Sequence, residues 1–129
     1  RNDTHHHEDH LQVIGIDDRD DHGQVRRELA AIDVHDHKFV LLLYHRPRGH
    51  EDAAAAGVDL MISGHTHAGQ IVPFNLIVNR VFEQAAGLFR HEDSHLYVST
   101  GTGTWGPVMR LGTRSEITLF EISPASRET

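Results

Sequence analysis

The chain has 129 residues, a length that suits one domain or part of one. Its formal charge of -7, with no Lys/Arg cluster, argues against a nucleic-acid backbone or an anionic membrane as partner unless bound cations intervene. The absence of cysteine removes disulfides, thiolate catalysis and cysteine-ligated zinc.

Histidine is the outlier: its 13 copies exceed the 12 lysines and arginines combined, which raises the weight of metal chemistry. A mean hydropathy of -0.43 is compatible with a soluble core at the polar end of the range. No apolar run approaches the ~20 residues of a membrane span, so the segment is expected to be soluble. It opens at Arg1 on the polar tract RNDTHHHEDH and reads like an excerpt from something longer.

In chain order, residues 11–17 (LQVIGID) predict a strand that runs into the acidic turn DDRDDHG. Val25, Leu29 and Ile32 fall at helical spacing after Gly23, which predicts a surface helix over a sheet. Residues 38–44 (KFVLLLY) are apolar apart from the lysine, as in a strand buried on both faces, and Pro47 ends it. Residues 50–56, alanine-rich with acids in the first turn and closed by Gly57, predict a short helix. Residues 59–63 predict a second buried strand.

Strand, helix and strand make a βαβ unit, for which a right-handed crossover is expected. Residues 73–86 are ambiguous, with a helix expected near 78–84. Residues 88–91 and 96–100 predict a hairpin across the turn EDS. The alternation in 115–122 (SEITLFEI) predicts a strand with one wet face, and 123–129 read as a polar tail.

The stretch GVDLMISGHTHAGQI carries the chemistry. A buried strand fixes its last backbone atoms, Gly64 permits a sharp turn, and His65 and His67 are delivered onto a loop from a rigid anchor. In an extended stretch residues i and i+2 share a side, so the two imidazoles can converge on one metal or on two neighbouring ones. His45 follows the neighbouring strand and adds a third nitrogen at the edge where open α/β sheets bind ligands. An isolated H-x-H is more often a polar loop pair; the strand context and His45 shift the balance toward ligation.

GHTHAGQ after VDLMIS, LLLYHRP some twenty residues earlier, LQVIGIDD upstream and LYVSTGTGTWGPVMRLGTRSEITLFEI downstream together resemble the C-terminal half of the calcineurin-like metallophosphoesterase family. More narrowly, the chain resembles a bacterial branch that includes exported or membrane-associated phosphodiesterases, whose motif is usually GHTHGGQ. The resemblance implies an α/β fold, a two-sheet sandwich flanked by helices, of which residues 1–122 are the C-terminal portion. It also implies two divalent metal ions (manganese, zinc or iron) and phosphoester, more narrowly phosphodiester, hydrolysis. His45 matches the family's lone histidine, and Gly64, His65 and His67 match its G-H-x-H. By the resemblance, His45 and His65 ligate one metal and His67 the other.

The family's D-x-H, G-D-x-x-D and G-N-H-D/E motifs have no match in the 129 residues. Two metals would then share three protein ligands, where one catalytic zinc usually takes three of its own. The fragment alone is expected to bind metal weakly and hydrolyse little. Its expected partners are a phosphate-ester substrate and the missing N-terminal half, with membrane proximity through upstream sequence and self-association of the exposed sheet also in view. A non-enzymatic His-rich metal-binding module and a degenerate domain retained for interactions are the competing readings.

Other features weigh less. HHHEDH (5–10) reads as a solvated turn, and DDRDDH lacks EF-hand spacing. GTGTWG lacks the G-K-S/T of a phosphate loop and reads as a glycine-rich turn. Arg110 is a candidate for the substrate phosphate or a plain surface arginine. Asp17, Asp18 and Gln70 are candidates to support the ligands or to satisfy turns.

Overall fold

The computed structural model describes residues 3–7, 10–81 and 84–123. Most of the expected tail, 124–129, lies outside them. Ten elements are present: β1 (Asp3–His7), β2 (Leu11–Ile16), α1 (Gln24–Leu29), β3 (Phe39–Tyr44), α2 (His50–Ala55), β4 (Leu60–Ser63), a 3-10 turn at His67–Gly69, α3 (Phe74–Val81), β5 (Gly87–His91) and β6 (Ser94–Val98).

The six strands form one sheet in the order β1-β2-β3-β4-β6-β5. Strands β2, β3, β4 and β6 run parallel, while β1 and β5 pair antiparallel at the two edges. The α/β expectation holds, with the βαβ unit at β3-α2-β4 and the hairpin at β5-β6. Among the described residues, no helix is long and apolar enough to cross a membrane.

The core forms on one face of this sheet. Period-two alternation points Ile14, Ile16, Val40, Leu42, Tyr44, Met61, Leu96 and Val98 to the side where Val25 and Leu29 of α1 and Ala53 of α2 pack. Two buried polar side chains on this face are fully engaged. Gln12 donates to the Asp33 carbonyl and accepts from the His35 amide, and Gln24 accepts from the Arg19 amide and the Tyr44 hydroxyl. The low dielectric makes such pairing mandatory, because an unpaired buried amide costs about 1 to 3 kcal/mol.

Four expectations need correction. β3 is buried on one face, not two: Leu43 is 43% exposed and registers with Ile62, Tyr97 and then Leu88, itself 63% exposed. The helices cover only the opposite side. Residues 115–122 do not form a strand. Glu116, Thr118 and Phe120 alternate toward Tyr97, which bonds the first two and meets the Phe120 ring at 5.1 Å, while Ile117 and Leu119 are 90% and 93% exposed. The alternation is real, but among the described residues no strand stands beside it to complete a ladder. The expected helix at 78–84 starts earlier, at Phe74 directly after Pro73, the position where a fixed φ favours initiation. Finally, part of HHHEDH is strand, not turn: Asp3–His7 pairs with β2, from His7 opposite Leu11 to Asp3 opposite Gly15.

Histidine also enters the core. His50, 5% exposed, opens α2 with Nε2 3.3 Å from Ser94 Oγ and its ring 6.0 Å from that of His91. Burial holds its pKa below the usual imidazole value, with His91 and His95 adding repulsion. The unfolded chain therefore takes up this proton first as pH falls. Stability from a neutral His50 is complete above the unfolded pKa of about 6.5 and is lost as pH drops from there through the lower folded value. Urea melts between pH 7.5 and 5 should show His50→Gln losing less stability on acidification than the parent. Parallel curves would refute the assignment.

Candidate functional site

Two parallel strands end side by side, and each hands its chain to a loop. β3 ends at Tyr44 and is followed by His45; β4 ends at Ser63 and is followed by Gly64 and His65. The Gly64 amide donates to the His45 carbonyl at 3.0 Å and Ser63 Oγ donates to the Arg46 carbonyl at 3.2 Å, so backbone and hydroxyl bonds fix one loop against the other. As a result His45 Nε2 lies 3.2 Å from His65 Nδ1, with the rings edge to face at 5.0 Å between centroids.

The loop from Gly64 to Gln70 is tightly coiled. His65, His67, Ala68 and Gln70 all have positive φ (72, 49, 49 and 48°), as does Gly69. Such conformations cost L-residues roughly 1 kcal/mol or more each and persist only where surrounding bonds impose them. Thr66, buried and donating through Oγ1 to the Ala85 carbonyl, accepts from the Ala68 amide. Gln70 is the second anchor. Its Nε2 donates to the Trp105 and Pro107 carbonyls at 2.9 Å each, its Oε1 accepts from the Trp105 amide, and its own carbonyl accepts from Leu111 N and Thr113 Oγ1.

His67 faces the same cavity as His45 and His65. Its Nδ1 lies 3.4 Å from Arg110 Nη2. Arg110 is therefore more than a plain surface residue. Its Nη2 donates to the carbonyls of Thr100, Gly101 and Gly103 and its Nη1 to that of His67, so the guanidinium knits GTGTWG to the histidine loop. Asp18 also lines the cavity, ion-paired to Arg46 at 3.0 Å. The Asp17 carbonyl accepts from Gln24 Nε2.

Burial, with His45 beside one and Arg110 beside the other, holds the pKa of both His65 and His67 below the usual value. Both are neutral at pH 7, the form that donates a lone pair to a cation. Metal–nitrogen bonds of about 2.0 to 2.1 Å in a tetrahedral sphere place neighbouring nitrogens roughly 3.3 Å apart. The His45–His65 spacing of 3.2 Å fits two adjacent positions on one ion. Among the described residues, however, no group of three or more His, Asp or Glu side chains is arranged to hold a metal, so further donors are needed.

No family model matches the chain, and no solved structure matches it. Curated proteins do. A metallophosphoesterase of Helicobacter pylori is 39% identical over 92 residues, covering 70% of this chain and 25% of the relative. One from Campylobacter jejuni is 38% identical over 117 residues, covering 87% and 31%. A transmembrane protein with metallophosphoesterase domain from Bos taurus is 42% identical over 93 residues, covering 70% and 21%.

The chain belongs to the calcineurin-like metallophosphoesterase family. It spans between a fifth and a third of the length of these three relatives.

As a metallophosphoesterase loop, GHTHAGQ departs from the family's usual GHTHGGQ at Ala68, whose φ of 49° and ψ of 32° lie in the left-handed region. Glycine adopts that conformation without a Cβ penalty. Ala68→Gly should therefore stabilise the fold by about 0.5 to 1 kcal/mol in urea melts; a destabilised variant would show that Ala68 carries no strain. Gly69 tolerates no such exchange, because a Cβ there would sit 2.3 Å from Asn75 Cα.

Sequence reasoning did not reach the roles of Thr66, Phe74, Val78 and Trp105. Thr66 was visible inside GHTH only as a spacer, Trp105 inside GTGTWG only as part of a glycine-rich turn, and Phe74 and Val78 carry no motif.

Proposed function

We propose that this chain is the C-terminal part of a metal-dependent phosphodiester hydrolase. In this reading His45 and His65 hold one divalent ion, manganese, zinc or iron, and His67 a second. The observation that carries it is the 3.2 Å approach of His45 Nε2 to His65 Nδ1, made by two parallel strand ends, on the cavity that His67 also lines. The chemistry the ions supply when bound is activation of water and neutralisation of charge on the phosphoryl group. The chain's own part is to present neutral imidazoles from rigid strand ends and to keep His67 oriented through Arg110.

The remaining donors belong to sequence that carries D-x-H, G-D-x-x-D and G-N-H-D/E. That segment of the domain would also cover Leu43, Ile117 and Leu119, the apolar surface that the described residues leave open. Expressed alone, these 129 residues would self-associate through that surface and hydrolyse little.

The test uses protein from the complete gene, stripped with chelator and assayed on bis-(p-nitrophenyl) phosphate. Restoring manganese, zinc or iron should return turnover from background. Hydrolysis indifferent to chelation, or absent with every metal, would sink the reading.

A further inference from the structure

We infer that the cavity beside the three histidines receives an apolar substituent of the ester, so that the substrate is the phosphoester of an alkyl or aryl alcohol. This rests on the phosphoesterase reading above. The cavity encloses about 750 Å³, within the range of small-molecule sites. His45, His65, His67 and Asp18 line it together with the apolar side chains of Ile71, Phe74, Val78, Trp105 and Pro107.

Among the described residues, no lysine or arginine lines it. The arginines nearby are committed, Arg46 to Asp18 and Asp20 and Arg110 to loop carbonyls. A second phosphate or a carboxylate on the substituent would thus find no cation. Neither would a sugar or base find free partners: Thr66 Oγ1 is spent on Ala85, and the Gln70 amide on Trp105 and Pro107. A polar substituent would lose its hydration with little in return, whereas an apolar one gains by leaving water.

Phe74 and Trp105, 49% and 72% exposed, are the large apolar surfaces available for that burial. The wall is also held in place before any ligand arrives, because Gln70 bonds the 105–107 loop to the histidine loop. In the reaction the oxygen of water bonds to phosphorus, the bond to the leaving oxygen breaks, and that oxygen departs with a proton. The apolar substituent takes no part beyond being held.

The test uses soluble alkyl p-nitrophenyl phosphates, methyl to hexyl, with the metal-loaded protein from the complete gene. We expect kcat/KM to rise by about fourfold per methylene until the cavity is filled, and Phe74→Asn to flatten the series. A second readout needs no turnover: the emission of Trp105, isolated by difference against Trp105→Phe, should shift to the blue with octyl phosphate and stay put with inorganic phosphate. A methyl ester that is hydrolysed as fast as the hexyl, with Trp105 silent, overturns this inference while leaving the phosphoesterase reading intact, and means that other chain fills the cavity. Failure to hydrolyse any ester overturns both.

Discussion

His65→Ala and His67→Ala, made in protein from the complete gene, are expected to lower hydrolysis of bis-(p-nitrophenyl) phosphate at least a thousandfold, about 4 kcal/mol of transition-state stabilisation. Folding should barely notice. Both side chains are only half-buried and sit beyond the strand they follow, so their loss leaves the core of Ile14, Leu42, Met61 and Leu96 untouched. The informative comparison is turnover against the thermal midpoint of the same samples. Wild-type turnover in either variant would remove the assignment, and a collapse of the midpoint would shift these residues from chemistry to structure.

Arg110→Ala should have the second largest effect, on two axes at once. Truncation leaves the carbonyls of His67, Thr100, Gly101 and Gly103 without their shared donor, a loss of about 2 to 3 kcal/mol for partly buried groups that bonded a charge. It also frees the His67 ring, and loss of such support typically costs tenfold to a hundredfold in metal affinity or activity. Because the guanidinium faces carbonyls and not the cavity, the loss should fall on kcat with KM little changed. Arg110→Lys should recover only part of it, since one ammonium cannot span four acceptors arranged around a planar fork. An increase in KM alone would instead place the arginine on the substrate.

Where the sequence was legible, one local rule decided the outcome. The strands β3 and β4 and the placing of His45 and His65 just past their ends followed from apolar runs closed by Pro47 and Gly64. The hairpin β5-β6 followed from two short apolar runs across a polar turn. Misreadings arose where the outcome depended on a distant partner. An alternating stretch such as 115–122 becomes a strand only beside another strand, and the run KFVLLLY cannot say that α1 and α2 cover just one of its faces. The helix α3 begins at Phe74, earlier than the expected 78–84, because the chain enters it from Pro73, whose fixed φ suits a helix start. The site divides similarly. Its histidines carry a motif, but the apolar wall is assembled from α3 and the 105–107 loop by hydrogen bonds to Gln70, thirty-five and thirty-seven residues away from the carbonyls it holds.

That single amide ties together two things that selection would otherwise adjust separately. Any change that reshapes the 105–107 loop pulls on Gln70, and through the strained turn before it on His67. Reshaping of the cavity is therefore channelled to the α3 side, where Phe74 stands on a helix and not on the loop that Gln70 holds.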